Sequence, residues 1–181
     1  MSTLPAFSRK PAIIVRQREV ALLWERYEAS VAGQMTITFV SGEPGIGKTR
    51  LLDELATRAT AADARVLRGS ATEAEGMPPY LPFLESLGHY IRMAELDELR
   101  AYTGASAAIL AALLPELQLR LGKLPTSFQL PPEQARLRLY EAIAALVAAI
   151  ASEQPLLLLL DDLHWTDPAT LDLLSAPTPP A

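Results

Sequence analysis

The sequence predicts an α/β fold of three layers, with helices on both faces of a parallel sheet. Three observations point to it. Residues 35–40 alternate apolar and polar side chains, stop at Ser41-Gly42, and lead through a glycine-rich stretch straight into a helical pattern. Residues 64–69 read as a second short strand. Residues 156–160 are an apolar run without alternation, as expected of a strand covered on both faces, and the run ends in Asp161-Asp162.

Residues 1–12 form a polar, proline-containing N-terminal tail. The first helix follows from Val20, Leu23, Trp24 and Tyr27, which share one face, and it ends near Gly33. The strand at 35–40 comes next. From Lys48 to about Thr60, Leu51, Leu52, Leu55 and Ala59 lie on one face with no Gly or Pro, so a helix starts directly from the glycine loop. After the strand at 64–69, Pro78, Pro79, Tyr80 and Pro82 mark a loop, leading into a helix over Phe83, Leu84, Leu87 and Ile91. Residues 95–121 read as short helical pieces broken at Gly104 and Pro115, so that about 81–121 forms a helical insert. A proline-punctuated connection over 124–132 precedes the longest helix, 133–153, whose many alanines predict burial on most sides. Pro155 stops it before the apolar run.

With 181 residues, half of them hydrophobic, the chain is long enough for about one domain with a real core. Sixteen Lys and Arg against 21 Asp and Glu give a net charge of −5, a field that disfavours nucleic acid as a partner of this segment. No cysteine is present and the two histidines, His89 and His164, stand apart, so neither a disulfide framework nor a thiolate zinc site is predicted. The N-terminal region lacks the apolar block of a secretory signal, and the longest uncharged stretch is too short for a bilayer. The expectation is a cytoplasmic protein without a membrane partner.

Residues 42–49, Gly42-Glu43-Pro44-Gly45-Ile46-Gly47-Lys48-Thr49, match G-x-x-x-x-G-K-[ST] between a strand and a helix. The glycines let the backbone turn its amide N–H groups inward, where they and the positive end of the following helix can hold phosphate oxygens. Lys48 would reach the β- and γ-phosphates of ATP, and the Thr49 hydroxyl would ligate Mg²⁺. The nucleotide-binding set is read as Gly42, Glu43, Pro44, Gly45, Ile46, Gly47, Lys48, Thr49 and Arg50. The bland alternative is a glycine turn that happens to hold a lysine.

Asp161 and Asp162 fall at the carboxyl end of a strand, where ligands of open α/β sheets gather. Asp161 would join Thr49 in the Mg²⁺ shell, and Asp162 would polarise the attacking water as general base. Asp167, followed by Pro168, reads as the cap of another helix. His164 reads as structural, with a sensor role as the alternative.

Taken together, residues 42–49 and the string Asp161-Asp162-Leu163-His164-Trp165-Thr166-Asp167 resemble the ATPase domain of the STAND class of AAA-type P-loop NTPases, as in LuxR-type bacterial regulators. Ile14-Val15-Arg16-Gln17-Arg18-Glu19-Val20 is similar to the signature that opens such domains near the adenine pocket, with Val15 where a Gly is usual. Arg68-Gly69, Glu73, Gly76, Pro78, Pro79, Tyr80 and Leu81 are similar to the family's second strand and the loop after it. The likeness spans about 13–174. It implies the strand order 5-1-4-3-2, in which strand 4 would follow residue 174, whereas residues 175–181 form a proline-rich tail. The expectation is therefore a P-loop fold incomplete at its C-terminal end.

The function implied is an ATP-binding module of a bacterial transcription regulator, switched by ATP against ADP with Mg²⁺ as cofactor, and at best a slow ATPase. Two alternatives stand beside it. One is a P-loop phosphotransferase with the helical insert as a substrate lid, which the doubled aspartate disfavours. The other is a non-catalytic fragment that self-associates or pairs with a full-length relative through exposed sheet edges.

Overall fold

The computed structural model describes residues 16–74, 76–125 and 130–175. The predicted tails at 1–12 and, apart from Ser175, 175–181 lie outside these residues, as do Ile14 and Val15 of the opening signature. The chain divides into two compact units, Met1–Arg58 and Ala59–Ala181.

The first unit holds α1 (Gln17–Val31) and most of α2 (Lys48–Ala61). On α1 the buried residues are Val20, Leu23 and Tyr27, and Trp24, the fourth residue of the predicted stripe, is half-buried. Trp24 lies with its ring centroid 4.8 Å from that of Tyr27 and donates its Nε1–H to Glu28 at 2.8 Å. The Arg58 guanidinium sits 5.3 Å from the Trp24 ring, so a cation–π contact joins α2 to α1. Leu51, Leu55 and Ala56 form the buried stripe of α2 in this unit.

Between these helices, residues 35–40 do not form the predicted strand. Met35, Ile37 and Phe39 are 62%, 49% and 68% exposed, so the alternation is present but its apolar face is uncovered. A strand is held by ladder hydrogen bonds to a neighbour, and among the described residues no strand pairs with this one.

The second unit is mostly helical around a two-stranded parallel sheet, β1 (Arg65–Ser70) beside β2 (Leu156–Asp161). Their register runs from Arg65 opposite Leu156 to Ser70 opposite Asp161. This neighbour relation is that of the second and third strands in the order the resemblance implies. The expectation that 156–160 is covered on both faces is corrected: only Leu159 is buried and its neighbours are half-buried, because the layers packed on β2 among the described residues do not cover it fully.

Four helices cover residues 81–121: α3 (Leu81–Met93), α4 (Leu96–Thr103), α5 (Ala107–Ala111) and α6 (Pro115–Leu121), with a 3₁₀ turn at Gly104–Ser106. The predicted breaks at Gly104 and Pro115 fall at helix boundaries. α3 packs directly on β1, and Gly69 makes this possible: a Cβ there would lie 1.7 Å from the Pro82 carbonyl oxygen. Arg120 then fastens the end of α3, donating to the carbonyls of Ile91, Arg92 and Ala94 at 2.6–3.0 Å.

The longest helix, α7 (Pro132–Glu153), buries Ala142, Ile143, Leu146 and Ile150, one stripe at helical spacing. Its alanines at 145, 148 and 151 are exposed, which corrects the expectation of burial on most sides. Alanine's small side chain permits burial without requiring it. The core joins these residues to Leu87, Ile91, Leu99, Leu110 and Leu117 of the helices over 81–121. Helix α8 (Pro168–Ser175) closes the described chain.

Candidate nucleotide site

The glycine loop belongs to the first unit. Gly42, Gly45 and Gly47 have φ of 156°, 76° and 94°, conformations that cost an L side chain steric strain and cost glycine little. These three positions turn the backbone through Pro44–Gly45 and deliver it into α2, whose first residue is Lys48. Ile46 N–H closes the turn on the Glu43 carbonyl at 3.3 Å, and Leu51 N–H bonds the Gly47 carbonyl at 3.1 Å, so the helix ladder begins at the last loop glycine.

The Lys48 ammonium bends back over its own loop, donating to the carbonyls of Gly42 at 3.0 Å and Glu43 at 3.2 Å. No acidic residue occupies the first turn of α2, so the positive end of the helix is not neutralised locally. The loop is solvent-facing, with Gly47 and Lys48 half-buried and Glu43, Pro44, Gly45, Ile46, Thr49 and Arg50 exposed.

The carboxylates belong to the second unit. Asp161 is the last residue of β2 and its Oδ1 accepts the Asp162 N–H at 2.9 Å. Asp162 has left-handed backbone, φ 54° and ψ 33°, which aspartate tolerates better than most residues. A 3₁₀ turn, Leu163–Trp165, follows, with Trp165 N–H on the Asp162 carbonyl at 2.9 Å. His164 Nδ1 stands 3.9 Å from Asp162 Oδ1, and its ring tilts against Trp165 at 4.9 Å between centroids. The two predicted halves of the site thus lie in separate compact units.

Asp167 caps α8: its Oδ1 accepts the Thr170 N–H at 3.0 Å, the N-cap geometry. Its Oδ2 also accepts the Thr170 hydroxyl and, at 3.1 Å, the N–H of Tyr80. Burial would raise the Asp167 pKa, but the hydrogen bonds from Thr170 and Tyr80 outweigh it and hold the carboxyl below its usual range. Sequence reasoning found the cap through the Asp-Pro pair and missed the Tyr80 arm, since nothing in the local pattern links residues 87 positions apart.

A family model described as AAA ATPase domain matches residues 12–176. An uncharacterized protein of Rhizobium meliloti (strain 1021) is 25% identical over 175 residues, covering 90% of this chain. The chain spans only 16% of that relative's length. No solved structure matches the chain. Beside the glycine-loop geometry at 42–49 and the aspartate pair at the end of β2, a family match over nearly the whole length places the chain in the AAA ATPase domain family.

Proposed function

We propose that the chain is the ATP-binding, Mg²⁺-dependent module of a STAND-type bacterial signalling or transcription regulator, a cytoplasmic protein in which ATP against ADP sets a conformational switch. The family supports nucleotide binding, and the much greater length of the Rhizobium relative suits a module embedded in a large regulator. One observation carries the reading: three loop glycines at positive φ feed directly into a helix that begins with Lys48 and has no acid in its first turn.

The donor set fits a polyphosphate. Gly45, Gly47 and Lys48 supply backbone N–H groups to its oxygens, and Lys48, already folded against the loop carbonyls, exchanges carbonyl for phosphate oxygen without a long search. Thr49 and Asp161 offer the hydroxyl and carboxylate oxygens that a hard divalent cation takes. Mg²⁺, when bound, supplies positive charge that offsets the charge building on the phosphates. Asp162 accepts a proton from the attacking water. Arg50 completes the loop set from the first turn of α2. Turnover is slow, as suits a switch, and the chain self-associates or pairs with a full-length relative.

The test is calorimetric titration with ATP and Mg²⁺. Wild-type chain should bind and Lys48→Ala should not, since a lysine at this position carries the main charge contact to the phosphates. Equal affinity in the two would show that the loop is not the site.

A further inference from the structure

The Asp167 carboxylate does more than an N-cap requires. Capping α8 uses one oxygen, which accepts the Thr170 N–H. The other oxygen accepts the Thr170 hydroxyl and the Tyr80 N–H, and that same N–H also meets Thr170 Oγ1 at 3.0 Å. Thr170 is completely buried and Tyr80 is 7% exposed. Tyr80 itself is held at φ 66°, a left-handed conformation a tyrosine adopts only when its surroundings impose it, and it forms the N-cap of α3. Its ring packs edge-on to Tyr140, at 6.2 Å between centroids, and the Tyr140 hydroxyl reaches the Ala169 carbonyl at 3.4 Å.

The turn carrying Asp162 hangs between two anchors. At one end, the Asp161 carbonyl accepts the Ala71 N–H at 3.1 Å, continuing the β1–β2 register. At the other is Asp167. Between them lie the left-handed Asp162 and a Thr166 hydroxyl that is buried without a hydrogen-bond partner. Both features cost free energy, so the turn keeps its shape only while its ends are held.

We infer that Asp167 is a positioning residue, which fastens the far end of the Asp162 turn to Tyr80 at the head of α3, so that the carboxylate turn and the helices over 81–121 are mechanically one element. The inference rests on the proposed function only in naming Asp162 as the water-polarising group. A change in the turn would then reach the start of α3, and a ligand on those helices would reach the turn.

Asp167→Asn separates this role from capping. Asparagine caps a helix as well as aspartate does, but its NH₂ would face the Tyr80 N–H, donor against donor. Amide hydrogen exchange on the full chain should be about tenfold faster around Tyr80 and across 162–166 together, with β1, β2 and α8 unchanged. Acceleration confined to α8, or none, would overturn the inference. Should Asp167→Asn lose protection throughout, the hydroxyl arm decides: Thr170→Val should accelerate the same two segments, and Thr170→Ser, which keeps the hydroxyl, should restore them. Equal exchange in the valine and serine variants would overturn it. Where the wild-type chain releases phosphate at a measurable rate, Asp167→Asn should lower kcat about tenfold with KM for ATP unchanged, because residues 42–49 are untouched. An unchanged kcat would remove the positioning role. A wild-type chain that binds no ATP would count against the nucleotide reading, and the exchange result alone would then decide the fastening.

Discussion

Asp161 and Asp162 adjoin in sequence yet differ in backbone: Asp161 ends a strand in ordinary extended geometry, and Asp162 turns left-handed. Asp161→Asn should weaken the Mg²⁺-dependent part of ATP binding. Asp162→Asn should leave binding intact and lower hydrolysis by roughly 10²-fold or more, the usual loss for a general base. Titration with and without Mg²⁺, beside phosphate release, separates the two, and where the wild type itself turns over, an equal rate in Asp162→Asn would remove the proposed catalytic role. Gly69 is a second informative residue. A methyl group there would press into the Pro82 backbone, at 1.7 Å from the oxygen and 2.6 Å from the carbon, and backbone cannot swing aside as a side chain can. Gly69→Ala should therefore destabilise the second unit by at least about 2 kcal/mol, read from denaturant unfolding.

At the scale of elements, β1, α3 and α4 are tied by a small polar network. Glu98 accepts from Arg65 at 3.1 Å and from the Tyr90 hydroxyl at 2.6 Å, while the Arg65 guanidinium lies 5.0 Å from the Tyr90 ring. Burial and the neighbouring Glu98 carboxylate push the Tyr90 hydroxyl well up, so it remains a donor at any physiological pH. The Tyr90 hydrogen bond, ahead of the Arg65 contacts and against a smaller opposing effect of burial, lowers the Glu98 pKa from its ordinary 4.5. A carboxyl lowered by folding contributes stability that is fully present above its unfolded value and lost as pH falls through its folded value. The thermal midpoint should hold above about pH 5 and decline below it, and Glu98→Gln should flatten that decline. Identical acid slopes in the two proteins would show that the network carries no acid sensitivity.

For the whole molecule, the sheet is the deciding feature. Among the described residues it has two strands, and the apolar side chains of Met35, Ile37 and Phe39 are exposed on an unpaired segment. Open parallel edges and an uncovered apolar stripe both favour association. The purified 181-residue chain should therefore self-associate in light scattering and release phosphate very slowly or not at all. Ile37→Thr with Phe39→Thr should reduce the association. A monodisperse wild-type monomer with ordinary ATPase turnover would contradict this. No helix among the described residues is long and apolar enough to cross a membrane.

The sequence by itself determined what short-range rules govern. The stripe at Val20, Leu23 and Tyr27, the helix starting at Lys48, the breaks at Gly104 and Pro115 and the cap at Asp167 all follow from helical periodicity or from the geometry of Gly, Pro and Asp within a few residues. The glycine loop was legible for the same reason, since its conformation is set by its own three glycines. Tertiary structure decided whatever depends on a distant partner. Alternation made residues 35–40 strand-like, but a strand exists only where a neighbour supplies the ladder. The leucine run at 156–160 has the composition of a covered strand, and its half-burial reflects how many layers are there to cover it. The Tyr80–Asp167 and Arg120–α3 bonds join residues tens of positions apart, and only chain folding sets such distances.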